Sequence, residues 1–527
     1  MVTVKEYRQY LRLSIIVYIV LFSVYSILRH YLYFTGAYDL GIFLQSLWTT
    51  AHGEGFFFNT PEWEDLGTYS HFGVHNSPIL ILLVPIYKMF PHAETLLILQ
   101  TIALGFGALT LFRFAKMLIG EKKAFYVSLM YLANPLIHGI NRFDFHPVSL
   151  VVPLIFLIPY YYEKRNYLIF ILVSLLVLTA KEDSGLVLIS LGLFFMIKRY
   201  GVSNVLNPKW FLKNIHTLKW EIILISLGIL WTLISLFVVI PHYNGGIYPY
   251  LTASRVQRYS FSISNIHIDY IIAFFSISLF SVSFIPMFNW EYFLASVPLW
   301  LELILPSKTA NMVTVGYHYP YMLAPFLFIL LVYILPMIQI SLKIEYHSKK
   351  TKVIPLTMKT FVAVSLISML LFSPAFHVLK SPYVRGIPMY SLVKVYNKWG
   401  PYFWIADNIT GILSNSDCPV TTQNLIFPHL ANRRETYCLR TLFNVYYLPN
   451  NSIVLLAESL PDYHFTVEAL MNSTLTANKN YFVLNINDMI IKCYNQTGDD
   501  TKKFKECIIS STQGIVQKCK QERNDEK

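Results

Sequence analysis

Apolar runs of about 12 to 25 residues recur along the first 380 positions, separated by short polar stretches that hold most of the charge. Roughly 20 apolar residues in a helix cross a hydrocarbon layer about 30 Å thick. The run at 13–28 follows Lys5, Arg8 and Arg12, which predicts a cytoplasmic N-terminus and a first span directed outward. No small-residue cleavage site follows it, so it reads as an anchor. The run at 79–90 is too short to cross and is predicted to lie along the outer surface of the bilayer. Further spans are expected at 94–118, 124–139, a stretch ending near 162, 167–179, a stretch ending near 198, 222–240, 270–287, 292–305, 321–342 and 361–376. About eleven spans result, and they put the basic loops 121–123, 163–166, 198–219 and 343–359 in the cytoplasm.

From about Ser381 the pattern changes to short apolar runs bounded by Asn, Asp and Pro, which predicts strands alternating with helices. The expected fold is an α-helical polytopic membrane protein over 1–380, with a first outer loop at 35–92. A small extracytoplasmic α/β domain over 381–527 completes it. All five cysteines (Cys418, Cys438, Cys493, Cys507, Cys519) and four Asn-x-Ser/Thr sequons (Asn408, Asn450, Asn472, Asn495) lie in this last part. Both features fit an oxidising compartment outside the cytoplasm. Cys418 and Cys438, close in sequence, are expected to pair, and the last dozen residues to fray.

Composition sharpens this reading. The chain is 55% hydrophobic and 14% charged, so the ionisable groups packed into 38–78, namely Asp39, Glu62, Glu64, Asp65, His71 and His75, stand out. Charged groups beside a bilayer mark a functional site. The net charge of +12 sits in short loops between apolar runs and not on one face, which argues against nucleic-acid binding.

Under the expected topology the outer loops bring together Asp39, His71, His75, Arg142, Asp144, His146, Lys181, Glu182, Asp183, Arg255, Arg258, Lys308 and His318. Asp39 is the candidate general base, because a carboxylate partly shielded from water gains basicity and takes a proton from a hydroxyl. Asp144, Glu182 and Asp183 join it as candidate catalytic carboxylates. With His71, His75 and His146 they can hold a divalent cation, or pair instead with Arg142 and Lys181; their spacing matches no specific metal motif. Arg255, Arg258 and Lys308 can neutralise a phosphate by charge-assisted hydrogen bonds, or snorkel to headgroups. Asp39 can alternatively cap the helix that LGIFLQSLW forms.

The runs YDLGIFLQSLW and HFGVHNSPILILLVPIYKMF, with NRFDFHP, the KED after an apolar run and TTQNLIFPHLANRRETY, resemble uncharacterised prokaryotic multispanning proteins grouped as a domain of unknown function. Those in turn are similar to the GT-C superfamily of lipid-linked-sugar glycosyltransferases. There, an acidic residue just after the first span is the catalytic base, and a His-Pro-Pro-Leu or Lys-Pro-Pro-Leu motif opens a surface helix before the second. Asp39 matches the first position, and His75-Asn76-Ser77-Pro78-Ile79 matches the second loosely. The usual Asp-Glu pair is Asp39-Leu40 here.

That resemblance implies an inverting enzyme that takes a sugar from polyprenyl phosphate and gives it to a glycan, lipid or protein acceptor. Two other classes compete: a transporter for lipid-linked saccharides, whose spans ordinarily carry mid-membrane charges and repeats, and a non-catalytic envelope-assembly subunit.

Overall fold

A computed structural model describes residues 4–246, 267–305, 310–338, 341–345, 351–355, 357–439, 448–462, 481–498 and 500–525. Arg255, Arg258, Lys308 and Asn472 lie outside them. The described chain is mostly helical, with a small sheet toward the C-terminus. Glu6–Tyr31, Ala93–Leu132, Pro208–His242 and Tyr319–Met337 are long and apolar enough to cross a membrane, and shorter apolar helices stand beside them.

Ala93–Leu132 is not one rod. Gly120 leaves the helical region with φ 77° and ψ 165°, a backbone that side-chain-bearing residues adopt only under strain. Beyond it, Tyr131 donates to the carbonyl of Leu104, 2.9 Å away and 27 positions earlier. In a straight helix those residues would stand about 40 Å apart. Gly120 therefore reverses the chain, and the runs at 94–118 and 124–139 pack as a hairpin along Val4–Tyr31. Tyr131 lies so close over Gly107 that a Cβ there would collide with its ring.

The two ends of the first helix, Val4–Tyr31, differ in chemistry. Arg8 reaches Glu121 at the hairpin turn (2.6 Å), beside Lys116. Arg29, about 32 Å further along the axis, reaches Asp144 at 3.1 Å. The pairs Lys198–Glu163 and Arg199–Glu221 belong to the Arg8 end, linked to it through Tyr333, which donates to Glu163 and lies against Phe114. Histidines and carboxylates gather at the Arg29 end. An apolar core separates the two.

Several expected spans are interrupted where proline and polar caps break the apolar pattern. The helix after Gly120 stops at Leu132, and Asn134 caps a new one, Pro135–Arg142. The span expected at 292–305 is split into Trp290–Leu294 and Val297–Ile304. The span expected to run to 342 ends at Met337, past Pro336, and the basic stretch beyond forms an antiparallel pair, Ser341–Glu345 with Thr351–Pro355. Ile79–Met89 is a helix about 16 Å long, with Leu80, Leu83 and Tyr87 buried and Ile81, Leu82, Ile86 and Met89 exposed.

The C-terminal part is a four-stranded parallel sheet in the order Thr436–Leu439, Val420–Gln423, Ser452–Leu456, Tyr481–Asn485. Helices Met389–Ser414, Ile486–Thr497 and Thr501–Asp525 accompany it. The expected Cys418–Cys438 bridge does not form. Cys418 pairs with Cys519, 101 positions away, and Cys493 with Cys507. Cys438 lies buried on a strand, where its N–H donates to Glu64 (3.2 Å). The Cys519 bridge also explains why the tail is helical to Asp525 and not frayed: it ties Thr501–Asp525 to the sheet, and Arg523 adds a contact to Glu435 (3.3 Å).

Candidate functional site

The site is built around a single turn of π-helix, Ala37–Gly41, which carries Asp39. Such turns arise where local packing overrides ordinary helical bonding, and they recur at functional sites. Two clamps hold this one. On the side of the first helix Asp144, paired to Arg29, accepts the Gly36 N–H at 3.0 Å. On the other side Asn424, from the C-terminal domain, accepts the Ala37 N–H through both its side chain (3.1 Å) and its carbonyl (3.0 Å). Gly41 lets the Phe427 ring close over the turn, since a Cβ there would meet it at 2.6 Å. Asp39 does not cap the following helix, Ile42–His52, whose N-cap position is Gly41.

Asp144 is thus a buried structural anchor, with φ 41°. Gln100 braces the same corner, donating to the carbonyls of Asn141 and Asp144 while its own oxygen accepts the His146 N–H at 2.9 Å. That places His146 Nε2 3.8 Å from Asp39 Oδ1. The other ring nitrogen, Nδ1, lies 3.1 Å from the Phe143 carbonyl. A carbonyl only accepts, so Nδ1 carries the proton and Nε2 turns a lone pair to the carboxylate. Burial pushes His146 down to about 3, helped by Lys181, His75 and His71, so the ring stays neutral. His318 stacks on it with centroids 3.6 Å apart, and its Nδ1 is buried without a hydrogen-bond partner. Asp39 keeps a third of its side chain open.

Two His–carboxylate pairs form the next layer. Glu62, fixed by Asn59, holds His71 at 2.9 Å; Glu182, which also accepts the Asn76 N–H, holds His75 at 2.8 Å. The two imidazoles lie 5.8 Å apart. Burial alone would raise the Glu182 carboxyl, but His75 and Lys181 hold it down at about 2. Behind them Lys181 pairs with Asp183 (2.8 Å), which also accepts from Tyr321 (2.7 Å), and Glu302 lies in the same electrostatic neighbourhood.

These engagements bear on a cation. Glu62, Glu182 and Asp144 are each committed to a histidine or an arginine, and among the described residues no three His, Cys, Asp or Glu side chains converge as metal ligands. The set does not fit a divalent ion. Arg142 lies over Phe143 (5.9 Å) and its Nε is buried without a partner. Glu64 faces the C-terminal domain, its carboxyl raised by burial.

Arg29, Gln100, Asn424 and Glu302 take part without having been singled out from the sequence. Gln100 and Glu302 carried a usable signal, since each is a polar group inside an apolar run, and Arg29 stands at the end of one. Asn424 carried none beyond its place in the TTQNLIFPHLANRRETY motif.

No curated protein matches the chain. One family model does, and it runs from residue 29 to residue 485. Arg29, Asp39, the four histidines, Glu182, Asn424 and Phe427 all fall within it. The chain therefore belongs to the DUF2079 family of predicted membrane proteins.

Proposed function

We propose that this protein is a membrane glycosyltransferase of the GT-C type, moving a sugar from a polyprenyl-phosphate donor to a glycan, lipid or protein acceptor. One observation carries the reading: Asp39 Oδ1 and His146 Nε2 face each other at 3.8 Å, acceptor against acceptor. A substrate hydroxyl that reaches this edge can donate its single proton to the Asp39 carboxylate, and His146 Nε2, which carries no hydrogen, does not compete as a donor to its oxygen. An acceptor hydroxyl held there gives its proton to Asp39 as its oxygen attacks the anomeric carbon. The bond from that carbon to the phosphate oxygen breaks, the phosphate leaves with the electron pair, and the configuration inverts. Arg142 is the described cation best suited to the leaving phosphate.

The remaining expectations attach to this reading. About eleven spans with the N-terminus in the cytoplasm put the site and the C-terminal domain outside, which suits two disulfides and the sequons. The exposed apolar face of Ile79–Met89 suits a helix lying in the bilayer surface, where a lipid carrier arrives.

A second reading, a transporter of lipid-linked saccharides, draws on the Lys181–Asp183 pair, with Tyr321 donating to the same carboxylate, because ionisable groups among apolar helices mark transport paths. Reconstitution separates the two. Purified protein in liposomes, supplied with a panel of polyprenyl-phosphate sugars and acceptor-containing membrane extract, should release free polyprenyl phosphate. Lipid-linked sugar that crosses the bilayer intact would replace the first reading by the second.

A further inference from the structure

Away from the Asp39 site, a shallow groove of about 730 Å³ opens on the C-terminal domain. Its size lies within the range of about 300 to 1,000 Å³ typical of small-molecule sites. Trp404, Asn408 and Gly411, spaced to share one face of the helix Met389–Ser414, form one wall with its C-cap residue Asn415. Gln513 faces them from Thr501–Asp525, and Asp407 lies at the inner end, where it accepts a hydrogen bond from Tyr33 (3.0 Å).

The chemistry of this lining is narrow. Trp404 offers a partly exposed indole, with Lys505 Nζ 4.5 Å over its ring. Asn408 and Asn415 each donate to the carbonyl four residues back, both at 2.8 Å, which fixes the planes of their carboxamides. Gly411 weakens a helix relative to alanine, and close packing does not require it, since a Cβ there would meet nothing within 4 Å. What it leaves is a flat floor. Among the lining residues Asp407 alone is charged and it already accepts from Tyr33, so the lining offers an anion no counter-charge. An aromatic face for C–H groups, with planar amides for donors that also accept, matches a sugar ring better than a lipid tail or a phosphate.

We propose that this groove binds a neutral saccharide. Two sources offer the same chemistry: a free glycan chain, and a glycan attached to Asn408 itself, which heads the sequon Asn408-Ile409-Thr410 in the groove wall. Binding stands apart from the transferase reading. Only the further role, holding the acceptor glycan three residues from Gly36 through Tyr33, rests on it.

The test uses full-length protein in nanodiscs on an array of neutral hexose and N-acetylhexosamine oligosaccharides, with uronic-acid and sulfated series as controls. Wild type, or wild type produced in a host without N-glycosylation where mass spectrometry finds Asn408 glycosylated, should retain neutral chains and not acidic ones. Trp404→Ala should weaken retention at least tenfold. A Cβ at 411 meets nothing within 4 Å, so Gly411→Leu should abolish retention without lowering the melting temperature. Where Asn408 is glycosylated, its glycan should resist glycosidase in wild type and yield in Gly411→Leu. Retention of no neutral saccharide by either protein, or unchanged retention by Gly411→Leu, overturns the proposal. Asp39→Asn should bind saccharide like wild type; wild-type binding without sugar transfer would count against the transferase and leave the groove standing.

Discussion

Asp39 Oδ1 lies 3.8 Å from His146 Nε2, and the facing nitrogen carries no proton because Nδ1 donates to Phe143. A carboxylate and a lone pair at this separation repel unless a donor comes between them. The first loop holds them there through contacts that reach both the Arg29 end of the first helix and Asn424 of the C-terminal domain. The site is therefore assembled jointly by the membrane part and the tail.

Acid should weaken the fold through His146. Its folded pKa, about 3, lies below the ordinary 6.5, so the unfolded chain binds that proton more tightly. The stabilising contribution is complete above pH 6.5 and is lost as pH falls from 6.5 toward 3. His318, also lowered by burial, acts in the same direction. The melting temperature should fall across that window, and His146→Gln should show a shallower fall; parallel curves would contradict the neutral buried ring.

Gly41 and Phe427 should be energetically coupled. A Cβ at 41 would meet the Phe427 ring at 2.6 Å, so Gly41→Ala should destabilise by about 1–3 kcal/mol through overpacking. In a Phe427→Leu background the same change should do less damage. A double-mutant cycle measures the difference, and strict additivity would show that the ring does not rest on the turn.

The disulfides should differ in weight. Cys418–Cys519 closes a loop of 101 residues and Cys493–Cys507 one of 14, which the chain-entropy model converts to about 4.7 and about 3 kcal/mol. Cys519→Ser should lower the melting temperature more than Cys507→Ser. Non-reducing peptide maps should join 418 to 519 and 493 to 507; a peptide joining 418 to 438 would refute the arrangement.

Much of the fold was legible because the bilayer imposes it: apolar runs need length, and 79–90 lacked it. The interruptions at Asn134 and Pro336 were legible in principle as cap and breaker signals inside apolar runs. Disulfide partners were not, since five cysteines permit many pairings and nearness in sequence favoured the wrong one. The crowded first loop announced its histidines and carboxylates. Their grouping into Glu62 with His71, Glu182 with His75 and Arg29 with Asp144 depends on contacts across up to 115 positions, which no local spacing encodes.

The most direct test compares wild type with Asp39→Asn in transfer of sugar from extracted polyprenyl-phosphate donors. Asparagine preserves size, exchanges one acceptor oxygen for a donor NH2 and takes up no proton, so turnover should fall by about 10²- to 10⁴-fold while donor binding and melting temperature hold. Undiminished transfer by Asp39→Asn would contradict the assignment of Asp39 as the base.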